Sequence, residues 1–336
     1  MSKKCLITGS GGLIGSHFLA HVLANTDWDI IGIDSWKHKG ISERITQSSI
    51  YQNNKDRVSI FTHDLSSPIS PFLIDSIGRI DYIVNFASQS HVDRSISDPV
   101  PFVQNNVNVV LTMLEYARIS NPEKFIQIGT DEVYGATDGK KNHPEWSPII
   151  PSNPYSASKA CQDAIATSYW RTYGVPLILT NIMNQVAEMQ DTEKYIPMVI
   201  KKILAGEKVT VHYDPKTGEP GSRFWLHARN TSDAILFMLK NVEAKLFPEI
   251  DRPERFNIVG EKQISNLDIA KMIAEVMGKE LDYELVDAHS SRPGHDPHYG
   301  LDGDKLKKYG YTFPVNFHDS LEKMVKWTLE NRRWLK

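Results

Sequence analysis

Cysteine is scarce in this sequence, with only Cys5 and Cys161 among 336 residues. The two are far apart, Cys5 at the start of an apolar run and Cys161 in a helical pattern. We therefore interpret both as small apolar side chains of a protein from a reducing compartment, which excludes a disulfide framework. A metal site needs more ligands at closer spacing, so we predict that no metal is bound.

The chain also lacks a charge excess and any long hydrophobic run. Its formal net charge is -3, which gives no general attraction to nucleic acid or to anionic lipid, so any phosphate must be held locally. No apolar stretch approaches the length of a membrane span, and the run after the first lysine pair is too short for a signal peptide. We find no internal repeat. These absences predict a cytoplasmic protein without nucleic-acid or membrane partners.

The first half of the sequence alternates short apolar runs with helical patterns. The runs include "KCLITG", "DIIGID", "IDYIVNFA" and "KFIQIGT", and they are apolar throughout, as in a parallel sheet covered on both faces. The pattern predicts an α/β fold with a doubly wound parallel sheet, a Rossmann domain, over residues 1–181. After residue 181 the alternation fails, so we predict a smaller mixed α/β substrate-binding lobe over residues 182–336, with some segments interleaved with the first domain.

A glycine-rich motif, "TGSGGLIGSH", joins the first predicted strand to the first predicted helix. Gly9, Gly12 and Gly15 let the chain turn tightly and approach a pyrophosphate at the positive end of the helix. About twenty residues on, Asp34 ends the second strand, where its carboxylate suits a ribose diol and repels a 2′-phosphate. A glycine turn alone is also explained by packing. The combination predicts dinucleotide binding, with NAD favoured over NADP.

Two pairs of residues suggest chemistry. Asp131 and Glu132 stand side by side after an apolar strand, where like charges repel, although a helix cap or an exposed turn is the ordinary structural explanation. Tyr155 and Lys159 are four residues apart, on one face of a predicted helix. A lysine ammonium and a nicotinamide favour the phenolate of a tyrosine, which then acts as a base. Taken alone, however, a Tyr and a Lys at this spacing are better explained by chance, because many helices carry them.

These motifs together resemble the extended short-chain dehydrogenase/reductase family, over nearly the whole chain. The shared features are TGxxGxxG, YxxxK and a threonine after a strand, Thr130. Within that family, "GTDEVYG", "SHVDRSI", "EKYIP" and "RPGHD" resemble the nucleotide-sugar 4,6-dehydratases, above all those that act on dTDP-glucose. Relatives that only epimerise C4 usually carry Ser-Ser or Ser-Thr in place of Asp131 and Glu132.

The resemblance implies a mechanism and a lyase activity on a nucleotide sugar. Tyr155 takes the O4 proton while hydride passes from C4 to NAD, and Thr130 binds the developing ketone. Glu132, ionised, removes the C5 proton, and Asp131, protonated, donates to the departing C6 hydroxyl. Hydride then returns to C6. Two acids in a partly desolvated pocket split their pKa values in this way.

The resemblance also assigns binding residues. The predicted cofactor residues are Gly9, Gly12, Leu13, Ile14, Gly15, Asp34, Asp64, Leu65, Ala87, Ser88, Tyr155 and Lys159. The predicted substrate residues are Ser90, His91, Asp93, Asn184, Lys194, Arg223, Asn257, Arg292 and His295. Some assignments have structural alternatives: Asp64 as a helix cap, His91 as a structural histidine, and Asn106, a predicted support of the active-site backbone, as an ordinary exposed side chain. A surface position is the alternative for each of Asn184, Lys194, Arg223 and Arg292, although four matches in register argue against it for the set.

Several positions depart from the family pattern around the nucleotide pocket. They are residues 185–189 ("QVAEM", without the usual Gly-Pro), 224–230 and Pro297. The sequence therefore leaves other substrates open, namely UDP- or CDP-sugars including UDP-N-acetylglucosamine. It also leaves open an epimerase, a variant dehydratase and a non-catalytic NAD-binding regulatory protein.

Two predicted helices carry apolar residues on more than one side. They begin near Val103 and Tyr155 and include Val107, Val110, Leu111, Leu114, Ile165, Tyr169 and Trp170. Such helices are either buried or form a subunit contact. Family resemblance favours a homodimer through a four-helix bundle.

Overall fold

The computed structural model describes residues 2–37, 40–137, 141–287, 296 and 298–336. Its strands are β1 Lys4–Thr8, β2 Asp29–Asp34, β3 Val58–Thr62, β4 Tyr82–Asn85, β5 Lys124–Thr130, β6 Leu177–Ile182, β7 Gln185–Val186, β8 Val209–Tyr213, β9 Ser222–Phe224, β10 Leu226–His227, β11 Glu254–Ile258, β12 Gln263–Ser265 and β13 Tyr283–Asp287.

The α-helices alternate with these strands in the first half and dominate the second. They are α1 Leu13–Asn25, α2 Glu43–Thr46, α3 Ser49–Gln52, α4 Pro71–Ile77, α5 Val92–Ser97, α6 Pro99–Ser120, α7 Pro154–Tyr173, α8 Tyr195–Ala205, α9 Ala228–Asn241, α10 Asn266–Met277, α11 Asp304–Lys308 and α12 Phe317–Glu330. Short 3₁₀ turns cover Lys55–Arg57, Asp131–Tyr134 and Arg332–Leu335.

Seven strands form one parallel sheet in the order β3-β2-β1-β4-β5-β6-β11. The strands β4 and β6 are buried along their whole length, as continuous apolar runs require. The strand order reverses direction beside β1, which opens a crevice at the carboxyl ends of β1 and β4. The predicted doubly wound α/β fold is confirmed.

Hydrophobic cores lie on both faces of this sheet. One face packs against α1 and α9, with Phe18 and Ile235 in the core. The other packs against α6 and α7, with Val110 and Trp170 in the core. The second half of the chain thus supplies both a sheet strand, β11, and a covering helix, α9. The division into two units at residue 181, with some interleaved segments, stays a prediction.

A third core belongs to the second half alone. Helices α8, α10 and α12 enclose it, with Ile200, Ile273 and Met324 among its residues. Three two-stranded pairs, β7 with β10, β9 with β12 and β8 with β13, surround this core. None of the helices described here is long and apolar enough to span a bilayer.

Candidate active site

The glycine loop closes tightly where β1 meets α1. Gly9 has a positive φ of 63°, and a Cβ on it would lie 3.1 Å from the backbone of Ala87. A Cβ on Gly15 would lie only 2.2 Å from the carbonyl oxygen of Gly9. Larger residues are therefore excluded at both positions, and the backbone N–H groups at the start of α1 stay accessible to a phosphate.

Asp34 lies beside this loop, at the end of β2. Its carboxylate accepts hydrogen bonds from the backbone N–H groups of Gly11, at 2.8 Å, and Trp36, at 2.9 Å. The remaining lone pairs of the carboxylate suit a ribose diol. The loop, the free helix end and this acid fit a dinucleotide, and each contact to it stays a prediction.

Asp64 has protein partners of its own. Its carboxylate pairs with Lys37 at 2.7 Å and accepts the backbone N–H of Ser66 at 3.0 Å. The Lys37 hydrogen bond, above all, lowers the pKa of Asp64 to about 2. Residues 65–67 form a turn and the next helix begins at Pro71, so the helix cap that was the alternative for Asp64 is not what the structure shows. A contact with adenine stays a prediction. The adjacent Leu65 is buried.

Ala87 and Ser88 follow β4 at the crevice. The backbone N–H of Ala87 donates to the hydroxyl of Thr8 at 3.1 Å, which holds this segment against the glycine loop. The Ser88 hydroxyl donates to the carbonyl oxygen of Gln89 at 3.1 Å.

The acid pair follows β5 directly, in the 3₁₀ turn Asp131–Tyr134. Thr130 Oγ1 accepts the backbone N–H of Glu132 at 3.4 Å and donates to Asp131 Oδ1 at 2.9 Å. The capping role considered for this segment is therefore present. Yet Asp131 is 4% exposed, and its Oδ2 has no hydrogen-bond partner among the described residues. A buried oxygen without a partner is rare in a purely structural turn and favours a ligand there.

Burial raises the pKa of both acids. For Glu132, the negative charge of Asp131 adds to this effect, while the Asn153 amide, which donates to Glu132 Oε2 at 3.3 Å, opposes it. For Asp131, the Thr130 hydrogen bond opposes burial. Arg223 also favours the ionised form of both. Two adjacent acids with raised pKa values share protons as a unit. In the protein without substrate the order is the reverse of the one the mechanism needs, because the charge of Asp131 raises the pKa of Glu132 further. A protonated Asp131 beside an ionised Glu132 stays a prediction for the substrate complex.

Helix α7 carries Tyr155 and Lys159, and it brings Tyr155 near the acid pair. The helix begins with a capping box at Asn153, and the backbone N–H of Tyr155 donates to Ser95 Oγ at 3.1 Å. The Lys159 ammonium donates to the carbonyl oxygen of Ile128 at 2.7 Å. Burial lowers the pKa of Lys159 to about 8, and burial followed by the charge of Glu132 raises that of Tyr155.

Asn106 is fully buried, which excludes an ordinary surface role. Its side chain accepts the backbone N–H of Gln89 at 2.8 Å and donates to the carbonyl of the same residue at 3.1 Å. It also donates to Ser158 Oγ at 2.8 Å. This side chain therefore ties the segment after β4 to helix α7, as the resemblance implied.

His91 and Lys194 meet at Glu193. The His91 ring caps α5 by accepting the backbone N–H of Arg94 at 3.3 Å, and its Nε2 lies 3.6 Å from Glu193 Oε2. Lys194 Nζ lies 3.9 Å from Glu193 Oε1. The structural role of His91 is thus present, and a sugar contact stays a prediction. Ser90 and Asp93 are exposed nearby.

Arg223 faces the acid pair. Its guanidinium donates to the carbonyl oxygens of Ser222 and Asp296, both at 2.7 Å, and lies 4.4 Å from the ring centre of Tyr299. Its charge favours the ionised forms of Asp131 and Glu132. The two predicted partners Arg292 and His295 lie outside the described residues.

The two predicted asparagines differ. Asn184 Oδ1 is buried without a hydrogen-bond partner among the described residues, which suits a ligand-binding role. Asn257 is fully buried, and its amide donates to the carbonyl oxygens of His143 at 3.0 Å and Asp302 at 2.9 Å. A substrate contact is left to its Oδ1, which likewise has no partner there.

The departures from the family pattern have structural consequences. In the segment 185–189, Met189 has a positive φ of 63°, and Glu188 Oε2 lies 3.1 Å from His227 Nε2 and 3.5 Å from His17 Nε2. Phe224 packs beside Tyr134 and Tyr299. Pro297 lies outside the described residues.

Three residues near the acids and Lys159 were absent from the predicted site. Asn153 contacts Glu132, Tyr299 lies against Arg223, and Gln162 contacts Lys159. Only Asn153 has a sequence signal, since Asn-Pro before a helical pattern marks a helix start. Across the described ranges, no group of three or more His, Cys, Asp or Glu side chains is arranged to hold a metal ion.

A parallel doubly wound sheet with a glycine loop, a Tyr-Lys helix and an adjoining smaller lobe defines the extended short-chain dehydrogenase/reductase class. The chain belongs to the family described as GDP-mannose 4,6 dehydratase, whose sequence profile matches residues 6–324. The resemblance drawn from the motifs is confirmed at this level.

Individual relatives cover nearly the whole chain. A low-salt glycan biosynthesis protein, Agl12, of Haloferax volcanii is 33% identical over 96% of this chain and 98% of its own length. A dTDP-glucose 4,6-dehydratase of Escherichia coli is 32% identical over 98% of this chain and 95% of its own. The crystal structure of DesIV, a dTDP-glucose 4,6-dehydratase from Streptomyces venezuelae with NAD and TYD bound, superimposes with a TM-score of 0.85 at 31% identity, covering 99% of this chain and 100% of that one.

Proposed function

We propose that this protein is an NAD-dependent nucleotide-sugar 4,6-dehydratase, a hydro-lyase that converts dTDP-glucose to its 4-keto-6-deoxy derivative. The observation that carries the proposal is the acid pair. Asp131 and Glu132 follow β5 directly, with raised pKa values, in contact with the Thr130 and Asn153 side chains. Epimerisation needs no such pair, whereas elimination of water needs an acid and a base.

The cofactor proposal is supported by the fit of the glycine loop and by the NAD bound to the DesIV relative. Gly9 and Gly15 leave room for the pyrophosphate at the start of α1, and Asp34 takes the ribose diol. When bound, NAD accepts hydride from the sugar and returns it. Tyr155 and Lys159, both on α7, would border its nicotinamide.

The proposed reaction assigns a proton transfer or a hydrogen bond to each catalytic side chain. Tyr155 removes the O4 proton as C4 is oxidised, and its phenolate is favoured by the Lys159 ammonium. Thr130 donates to the oxygen at C4. Glu132 takes the proton from C5, which the neighbouring ketone acidifies, and Asp131 gives its proton to the C6 hydroxyl, which leaves as water. Protonation of C5 completes the product with no net redox change.

The nucleotide sugar is proposed from the relatives and from Arg223. A guanidinium beside the acid pair suits a diphosphate, because paired N–H groups match two phosphate oxygens. The remaining predicted substrate residues are proposed with it: Ser90, His91, Asp93, Asn184, Lys194, Asn257, Arg292 and His295. dTDP-glucose is the leading substrate because the dTDP-glucose dehydratases are similar over almost their whole length.

A substrate panel tests the proposal. Purified protein is incubated with dTDP-glucose, UDP-glucose, CDP-glucose and UDP-N-acetylglucosamine, and the products are read by mass. We expect loss of one water from dTDP-glucose and a product whose ultraviolet absorbance rises in alkali. Water loss from another sugar alone would overturn the substrate. A product of unchanged mass would indicate an epimerase, and no turnover of any sugar would indicate a regulatory protein.

We also propose that the protein is cytoplasmic and forms a homodimer through α6 and α7. Val107, Leu111 and Ile165 remain only partly buried in a single chain although they are apolar. Helix α6 also carries the exposed side chain of Val100. Pairing α6 and α7 with their copies would cover this surface as a four-helix bundle.

A further inference from the structure

A buried glutamine contacts the proposed catalytic lysine. Gln162 lies on α7 and is fully buried. Its Oε1 accepts a hydrogen bond from Lys159 Nζ at 2.5 Å, and its Nε2 donates to the carbonyl oxygen of Asn106 at 2.7 Å. One amide thus connects the Lys159 ammonium to α6, the neighbouring helix.

The same amide is the last member of a hydrogen-bond network of buried side chains that crosses the sheet. Gln127 Nε2 donates to Gln162 Oε1 at 3.2 Å, Asn85 Nδ2 donates to Gln127 Oε1 at 2.8 Å, and Thr8 Oγ1 donates to Asn85 Oδ1 at 2.6 Å. This network runs from β1, the strand before the glycine loop, to α7, the helix that carries Tyr155. Every link lies in the core, where an unsatisfied amide is costly.

The Lys159 ammonium determines which amide atoms of this network donate and which accept. An ammonium has only donors, so Oε1 of Gln162 must face Lys159 and Nε2 must face the Asn106 carbonyl. With Oε1 also accepting from Gln127, the orientation of the next amide is fixed too. Ile128 O and Gln162 Oε1 accept from two of the three N–H groups of Lys159, and among the described residues no other hydrogen bond takes the third, which suits a ligand.

We propose that Gln162 is a positioning residue for Lys159, holding its ammonium in the place and charge state that Tyr155 requires. The proposal rests on the proposed function. The charge of Asp163 also supports the ammonium, because it raises the pKa of Lys159. Asp163 pairs with Arg255 of β11 at 3.1 Å, and both are 2% exposed, whereas Gln162 makes the hydrogen bond to Lys159. On the other side, Glu132 raises the pKa of Tyr155.

Two variants change the contact in opposite senses. Gln162→Met keeps the length and removes the acceptor, so the charged form of Lys159 loses support. Gln162→Glu keeps an acceptor and adds a negative charge, which favours the charged form. Thr180→Val is the matched control, because its buried hydroxyl donates to the Gln127 carbonyl at 3.3 Å without contacting Lys159.

The first readout is the titration of Lys159 in the cofactor-free protein, followed by competitive labelling with acetic anhydride and peptide mass spectrometry. The wild-type midpoint is the reference, and burial holds it below the ordinary pKa of a lysine in spite of the charge of Asp163. We expect a lower midpoint in Gln162→Met, a higher one in Gln162→Glu and no change in Thr180→Val. An unchanged midpoint in the Gln162 variants would overturn the proposal, and Gln162→Glu alone decides if Gln162→Met does not fold.

The second readout is the pH dependence of kcat with dTDP-glucose and NAD. A weaker Lys159 charge makes the Tyr155 phenolate harder to form. We therefore expect the acid limb of Gln162→Met to move up by about one pH unit, with kcat about tenfold lower at neutral pH and little change in KM. An acid limb that stays in place would count against the proposal. A wild-type protein that dehydrates no dTDP-glucose would overturn the proposed function instead, and the labelling result would still stand.

Discussion

Asp131 and Glu132 follow one another in the chain but have different surroundings. Asp131 is buried, with Thr130 donating to one carboxylate oxygen and no partner for the other among the described residues. Glu132 is partly exposed and contacts Asn153. Different surroundings give two neighbouring acids different pKa values. Without substrate it is Glu132 whose pKa the charge of its neighbour raises, so the bound sugar has to set the order in which Asp131 acts as the acid and Glu132 as the base.

The raised pKa of Glu132 predicts a pH-dependent stability change. The folded protein holds this proton more tightly than the unfolded chain does, so the group destabilises the fold as pH rises above the unfolded value of about 4.3. Glu132→Gln should therefore gain roughly 1 kcal/mol of unfolding free energy at pH 8, because each pKa unit is worth ~1.4 kcal/mol and partial exposure screens it.

Urea denaturation between pH 5 and pH 8 measures this change. The gain should shrink toward pH 5 and should be absent from Glu322→Gln, whose carboxylate is exposed beside Lys326. A gain that does not vary with pH would contradict the raised pKa.

Single residues differ in how far the sequence reveals them. Spacing and motif resemblance were enough to single out Asp131, Glu132, Tyr155 and Lys159. They missed Gln162, because its role depends on which backbone carbonyl and which ammonium the fold brings to it. They also gave no sign that Lys37 pairs with Asp64, since the two are distant in sequence and only the closing of β2 beside β3 brings them together.

Among the helices and strands, the first turn of α7 holds two parts of the site in position. Asn153 caps the helix by accepting the backbone N–H of Ser156 at 2.9 Å, and its amide donates to Glu132. The same side chain thus sets both the helix carrying Tyr155 and the position of an acid.

This double role predicts a loss of activity beyond the loss of stability. Asn153→Ala should cost about 1 kcal/mol of unfolding free energy, as N-cap losses do, and should lower kcat as well. Asn316→Ala is the control, because Asn316 caps α12 in the same way by accepting the backbone N–H of Asp319 at 2.9 Å. Thermal unfolding and steady-state kinetics should show equal stability losses, with kcat reduced only in Asn153→Ala. Equal kcat values would refute the second role.

A buried ion pair joins β11 to α7. Arg255 and Asp163 lie 3.1 Å apart. Breaking such a pair leaves a buried charge, so Asp163→Asn and Arg255→Met should each cost about 3 kcal/mol of unfolding free energy, and the double variant should recover part of the loss. Denaturant unfolding of the four proteins measures the coupling, and strictly additive losses would show that the pair is not coupled.

The position of β11 in the sheet could not be predicted from the sequence. Apolar runs identified strands in the first half, but "RFNIV" carries no sign of its neighbour. Parallel pairing with β6 needs a long crossover, here the whole segment between residues 182 and 254. Only tertiary packing decides which strand receives it.

For the whole molecule, the main prediction concerns assembly. Leu111→Glu puts a charge on the partly buried face of α6, where a four-helix bundle would enclose it. We expect the wild type to sediment as a dimer and this variant as a folded monomer. Phe72→Glu is the control: Phe72 lies on α4 with an exposed side chain, so this variant should leave the dimer intact. A monomeric wild type would contradict the proposed assembly.

The central claim is that hydride removed from C4 of the sugar returns to C6 after water has left. The most direct measurement uses dTDP-glucose carrying deuterium at C4, with the product examined by mass spectrometry and NMR. The account predicts a 4-keto-6-deoxy product lighter by one water, with the deuterium at C6. Deuterium that stays at C4, or is lost to solvent, would contradict it.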